Sequence, residues 1–234
     1  MTIKFTIDIL ERGKITAKDY STRASILWKL PLFAERKRST PANLSLNANC
    51  NVAHLADYLF ESIPSYITEY NCDKCGYSHK RTSPTYNINT DEILKNGFNN
   101  MQQAIDDTTI CAKKATCYKC KNTTTRTITC GPHIIIDTSI TTDKNYMKDY
   151  AIQQRKHTLN DVAKTITIEN DNYSLAGLSS YINYGHEDSA GHYVAFTYTG
   201  LHWYKFDDMP AKRYTANVSE EIYPHLVLYV KTKM

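Results

Sequence analysis

Apolar positions change their spacing along the chain. From Asn51, the residues Val52, Leu55, Ala56, Leu59, Phe60 and Ile63 fall at helical intervals and Pro64 closes the run, which predicts a helix. Asn89 and Glu92 have the spacing of a capping box ahead of a second helix carrying Ile93, Leu94, Phe98, Met101 and Ile105. Gly97 lies inside that run and weakens it by about 1 kcal/mol. Tyr66 to Tyr70 and "YNIN" read as short strands. The pattern then turns β-rich. "TRTIT", "HIIIDTSI", "KTITIE", "YSLAGLSSYINY", "GHYVAFTYT", "HWYKFDD" and "YPHLVLYVK" are short and rich in β-branched and aromatic residues, as in an antiparallel sheet with one wet face. Residues 1–33 mix strand-like and helical patterns. Residues 34–49 are charged and then rich in Ser, Asn and Pro, which predicts a connecting loop. Residues 148–157 are polar and read as a helix or an insertion.

Composition narrows the class. The chain has 234 residues, 41% hydrophobic and 22% charged, which suits a globular domain with a core of its own. A net charge of +4 permits an acidic partner without demanding nucleic acid. The basic clusters at Arg36, Lys37 and Arg38, and at Lys113, Lys114, Lys119 and Lys121, read as solvated surface. No run approaches the roughly 18 apolar residues of a spanning helix, so no membrane association is expected. "MTIKFTIDILERGK" lacks the continuous apolar core of a secretory signal.

Seven cysteines are an odd number, and four of them stand in two C-x-x-C pairs, Cys72 with Cys75 and Cys117 with Cys120. Two thiolate pairs on tight turns can converge on a tetrahedral structural Zn²⁺. The surrounding Thr-rich stretch has little apolar surface to bury, so a metal could supply folding energy there. The alternatives are buried reduced thiols or a redox dithiol. Cys111 and Cys130 flank the second pair and read as ordinary buried thiols. This cysteine usage fits a reducing compartment, cytoplasmic or nuclear.

His192 opens one predicted strand and Asp207 ends the next. If the two pair across the turn at Thr199 and Gly200, the carboxylate can accept from the imidazole and fix its tautomer, as the general base of a cysteine hydrolase requires.

The motifs resemble those of the ubiquitin-specific protease family. The resemblance rests on the strand before Gly191-His192-Tyr193, on Trp203 with Phe206-Asp207-Asp208, on the closing strand "YPHLVLYV", and on two cysteine knuckles upstream in the same order. "NVAHLADYLF" resembles the helix before the first knuckle and "GPHIIIDTSI" the strand after the second, so the resemblance covers roughly residues 51–231. It implies an α+β fold: a papain-like cysteine peptidase palm built on an antiparallel sheet, zinc-binding β fingers, and a partial helical thumb. The implied segments are 1–49 for partial thumb and loop, 50–132 for the pre-finger helix and fingers, and 133–234 for the palm. It further implies His192 as general base, Asp207 as the residue orienting it, Asp208 as a supporting carboxylate, and Cys72, Cys75, Cys117 and Cys120 as zinc ligands. Gly191 would let a substrate tail come close. The reaction implied is thiol-dependent removal of ubiquitin or a ubiquitin-like modifier from proteins.

The family's cysteine box, an Asn followed by the nucleophile and a helix, has no counterpart here. Cys50 in "NANCNVAHL" precedes a helix, where a thiol pKa falls. It stands just before the pre-finger helix, however, and reads as a helix-terminal structural residue. The chain is therefore expected to be an incomplete portion of a longer protease or an inactive relative that still binds ubiquitin. Cys50 as a relocated nucleophile is a third option. A competing expectation from another class is a zinc-ribbon module for nucleic acid with the β half as scaffold.

Overall fold

The computed structural model describes residues 16–40, 43–46, 50–112, 115–138, 157–182, 191–207 and 212–232. The chain divides into two compact units, Met1–Ser62 and Ile63–Met234.

In the first unit, the helix Ala17–Lys29 starts at a capping box. The Thr16 N–H donates to Asp19 Oδ2 at 2.8 Å, and the Asp19 N–H donates back to the Thr16 hydroxyl. Residues 34–49, expected to be loop, hold an antiparallel hairpin of β1 (Lys37–Thr40) and β2 (Asn43–Leu46), with Thr40 opposite Asn43. The expected helix at Asn51 is present as Val52–Leu59, capped by Asn51 Oδ1 accepting from the Ala53 N–H at 2.7 Å. It ends at Leu59, short of Ile63.

Among its described residues the second unit contains two main sheets and a separate two-strand pair. The smaller runs β4 (Ser78–Ser83), β3 (Tyr66–Asn71), β7 (Thr123–Cys130), β6 (Ala115–Thr116), all antiparallel. The larger runs β14 (Lys212–Ala216), β13 (Trp203–Asp207), β12 (His192–Tyr198), β11 (Asp171–Ile182), β16 (Pro224–Lys231), β8 (His133–Asp137), β5 (Tyr86–Asn87). β10 (Thr165–Ile168) pairs with the start of β11, and among the described residues only β5 joins in parallel, to β8. A two-strand pair of β9 (His157–Thr158) and β15 (Glu221–Ile222) stands apart. All nine of the expected strands are thus present.

The helix expected after Asn89 is two helices. Thr90–Asn96 ends at Gly97, whose φ of +93° ordinary side chains avoid, and Met101–Ala112 begins after a single 3₁₀ turn. Asn89 makes no side-chain cap. The second helix buries Met101, Ala104 and Ile105 against the larger sheet. Its Gln102 exchanges two hydrogen bonds with the backbone of Thr167, accepting at 2.8 Å and donating at 2.9 Å, which satisfies the open edge of β10. Tyr173, Tyr229, Ile134, Ile136, Ile166 and Trp203 are almost wholly buried in the core of this sheet.

One irregularity positions the functional face. In β11 the buried side chains are Tyr173 and Leu175 before a bulge, and Leu178 and Ser180 after it, with the Gly177 backbone buried between them. The extra residue between Leu175 and Gly177 changes the phase, so even-numbered residues face inward where β11 meets β12.

Candidate functional site

His192 opens β12 opposite Ile182 of β11. Its row on that face continues through Val194 and Phe196, both buried. In β13 the row is Trp203, Lys205 and Asp207, because Phe196 pairs with Lys205 and Tyr198 with Trp203. One step beyond the last β12–β13 pair, Ala195 with Phe206, Asp207 stands across from Val194 and diagonal to His192. Diagonal neighbours about 7–8 Å apart are within reach of long side chains. The reach is used: His192 Nε2 lies 2.9 Å from Asp207 Oδ1, with both side chains about 15% exposed. A carboxylate can only accept, so Nε2 carries the proton and donates. The lone pair of the neutral ring is then on Nδ1, the nitrogen that can take a proton from a thiol.

Gly191 has a constraint different from the expected one. Its φ is not in the left-handed region, and any Cβ there would overlap the Tyr181 ring. The space beside Gly191 is therefore filled by this chain's own tyrosine. Tyr181 belongs to an aromatic group on the opposite face of the sheet from His192, which sequence reading missed. Its ring stacks on His225 at 5.1 Å and tilts against Tyr193 at 5.1 Å, and the Tyr193 hydroxyl lies 2.9 Å from His225 Nδ1. Burial holds His225 below the usual histidine range, with the Asp137 charge working the other way. Three strands contribute to this group, so no local pattern announces it.

Lys205 and Lys164 brace the hairpin. Lys205 Nζ pairs with Glu220 at 2.7 Å and stands over Phe196 and Tyr214. Lys164 Nζ stands 4.9 Å over both Tyr198 and Trp203 and donates to the Leu159 carbonyl. Asp208, the remaining predicted site residue of this region, lies outside the described residues, as do residues 148–156.

The four predicted metal ligands come together. Cys72 and Cys75 occupy the turn between β3 and β4, and Cys117 and Cys120 the turn between β6 and β7. Within the first turn the Gly76 N–H donates to the Cys72 carbonyl at 2.9 Å, and within the second the Lys121 N–H donates to the Cys117 carbonyl at 3.0 Å. β3 pairs with β7, which brings the turns side by side. All four Sγ atoms lie within 4.8 Å of one another, with Cys72–Cys120 at 3.4 Å and Cys75–Cys117 at 3.6 Å. A tetrahedral tetrathiolate site with metal–sulfur bonds of about 2.3 Å needs sulfurs about 3.8 Å apart, so this set could hold a metal ion. The backbone at Tyr77 favours the Cys75 thiolate, but desolvation and the three other sulfurs push that thiol up to about 12. Donation from the Asn122 backbone and side chain draws Cys120 down to about 6.

Three further cysteines complete the seven. Cys130 is half-buried at the end of β7, and burial raises its thiol to about 11. Cys111 lies in the helix Met101–Ala112, its side chain outside the described residues. Cys50 is half-buried and directly precedes the Asn51 cap in the first unit. No helix among the described residues is long and apolar enough to cross a membrane.

No protein-family model matches the chain, and no characterised protein matches it in sequence. Among solved structures it is similar to the SAGA Ubp8/Sgf11/Sus1/Sgf73 DUB module, at 16% identity over 90% of this chain and 44% of that one, with a TM-score of 0.43. It is also similar to the Saccharomyces cerevisiae PAN2 pseudoubiquitin-hydrolase-RNase module, at 16% identity over 72% of this chain and 31% of that one, with a TM-score of 0.39. The chain spans less than half the length of either.

Proposed function

We propose that this chain is the fingers-and-palm portion of a ubiquitin-specific-protease-like domain, which grips ubiquitin or a ubiquitin-like protein and presents its C-terminal tail to His192. The observation that carries the reading is the 2.9 Å bond from His192 Nε2 to Asp207, made at the meeting ends of β12 and β13. The motif order in the sequence supports it: two cysteine turns, then the His strand, then the Asp strand. In this reading His192 Nδ1 takes the proton of a thiol, and Asp207 holds the ring in the needed tautomer and stabilises the imidazolium that forms. Asp208 is the supporting carboxylate. Within residues 1–71 Cys50 is the one thiol, and turnover requires a thiolate facing Nδ1 from there or elsewhere.

Cys72, Cys75, Cys117 and Cys120 hold a structural Zn²⁺ in this reading. When bound it ties the two turns together; the chain's own part is to place four deprotonated sulfurs at near-tetrahedral spacing. A cytoplasmic or nuclear setting, where thiols stay reduced, is part of the proposal.

The test is incubation with ubiquitin carrying a C-terminal electrophile, alongside binding of unmodified ubiquitin by calorimetry. Binding that weakens at least tenfold when the tail Gly-Gly is removed supports the reading. Covalent labelling abolished by Cys50→Ala would add Cys50 as nucleophile. Neither binding nor labelling, with ubiquitin or a panel of ubiquitin-like proteins, would sink it.

A further inference from the structure

A zinc-ribbon module for nucleic acid leaves the His and Asp strands unexplained, but it fits the mild net charge of +4. The fold concentrates that charge. Residues 72–81 and 117–122 form the two cysteine turns and the start of β4, and they carry Lys74, Lys80, Arg81, Lys119 and Lys121 against Asp73, a net +4. Of the chain's 28 basic and 24 acidic residues, 23 of each remain elsewhere, so this tip carries the whole excess. A divalent ion on four thiolates contributes a net charge of about −2 and leaves the tip positive.

The cations are arranged with aromatic rings. Lys119 Nζ stands 4.8 Å over the Tyr77 ring, and Lys121 Nζ stands 5.4 Å over Tyr118. Tyr118 is 80% exposed, although a tyrosine on a tight turn does nothing for the core. Lys74 Nζ lies 3.5 Å from Asn122 Oδ1 and joins the turns, while Lys80 shares its charge with Glu69 at 3.2 Å. An acidic protein surface would use the ammonium groups but has no need of the open Tyr118 ring or of the half-buried Tyr77 ring beneath Lys119. Single-stranded nucleic acid uses both, because phosphates draw the lysines off the rings and bases stack on the faces they leave.

We propose that the tip formed by the two cysteine turns binds single-stranded nucleic acid, with Lys74, Arg81, Lys119 and Lys121 on phosphates and Tyr118 and Tyr77 as stacking platforms. The proposal uses none of the His192 machinery and stands whether or not the chain binds ubiquitin.

The test is fluorescence anisotropy of the metal-loaded full chain with labelled oligo-dT and oligo-rU. Four phosphate contacts give a slope of log affinity against log salt of about −3, at about −0.7 per contact for single strands. Lys119→Gln with Lys121→Gln should bring that slope to about −1.5. Tyr118→Ala should cost about tenfold at an unchanged slope, since its loss is stacking and not charge. Metal content, measured for each variant, shows that the turns remain formed. Three results would overturn the proposal: no binding at low salt, unchanged affinity in Tyr118→Ala, or competition by polyglutamate at matched charge as strong as by oligonucleotide. The last would assign the tip to an acidic protein. Loss confined to Arg36→Gln with Arg38→Gln would place binding elsewhere and overturn it as well.

Discussion

His192 and Asp207 meet because two side chains on one sheet face can bridge the diagonal between neighbouring rows. That bridge depends on where the backbone of Gly191 runs, and Tyr181 fixes the run from the other face. Gly191→Ala should therefore destabilise the fold by about 1–3 kcal/mol, the usual cost of overpacking. Tyr181→Ala opens the same space, so the double variant should lose less than the sum of the two single losses. Urea denaturation of the four proteins checks this; strict additivity would show that the ring and the glycine do not compete for space. Two half-buried histidines carry a pH dependence, His225 of the same aromatic group and His133 at the start of β8. His225 and His133 are both held below the usual histidine range by burial, so the unfolded chain binds protons more readily than the folded one as pH falls below about 6.5. Stability should be full above that pH and be lost progressively as the pH falls below it. His225→Gln should flatten the curve, and an identical curve in that variant would refute the assignment.

The two cysteine turns are built alike, yet their fifth residues differ. Gly76 and Lys121 both sit in the left-handed region, at φ of +67° and +60°, and only glycine does so without cost. Lys121→Gly should relieve about 1 kcal/mol while losing an exposed cation–π contact of about 0.5 kcal/mol, so a small net gain is expected. Gly76→Ala should have the opposite sign. Metal retention against a graded chelator reads both, and tighter retention in Gly76→Ala would contradict the argument. The turns were legible in the sequence because two C-x-x-C pairs set residue type and spacing together. The strands of the larger sheet were legible because β-branched and aromatic residues mark a surface half-buried by packing. The β1–β2 hairpin was not, since Ser, Asn and Pro there resemble a loop and its pairing supplies the order. The break at Gly97 was visible only as a weakness, because one glycine can be tolerated in a helix or can end it. The bulge in β11 had no signal of its own, although it decides which face His192 shares.

Within Ile63–Met234 the two sheets are held by different means. The larger sheet encloses Tyr173, Tyr229, Trp203 and a run of isoleucines, each contributing roughly 1.5–3 kcal/mol by burial. The smaller ribbon buries hydroxyls at Thr68, Ser83 and Thr124 in place of aliphatic side chains, and its far end closes on four sulfurs. At its near end it is pinned to the larger sheet, where Ser65 accepts from the Ile135 N–H at 2.9 Å through its hydroxyl and from the Gly131 N–H at 2.7 Å through its carbonyl. Removing a bound metal should therefore release the ribbon and leave the larger sheet folded, because only the ribbon lacks a core to stand on. Hydrogen exchange should accelerate across residues 66–83 and 115–130 after chelation, with β11, β12 and β16 still protected. Acid should act in the same direction, since Cys75, near 12 without metal, must give up its proton to bind and competes less well as pH falls. Cys72→Ser should reproduce the chelated pattern without chelator. Protection lost uniformly through both sheets would mean that the ribbon and the larger sheet fold as one unit, and protection unchanged everywhere would mean that the sulfurs hold no structural metal.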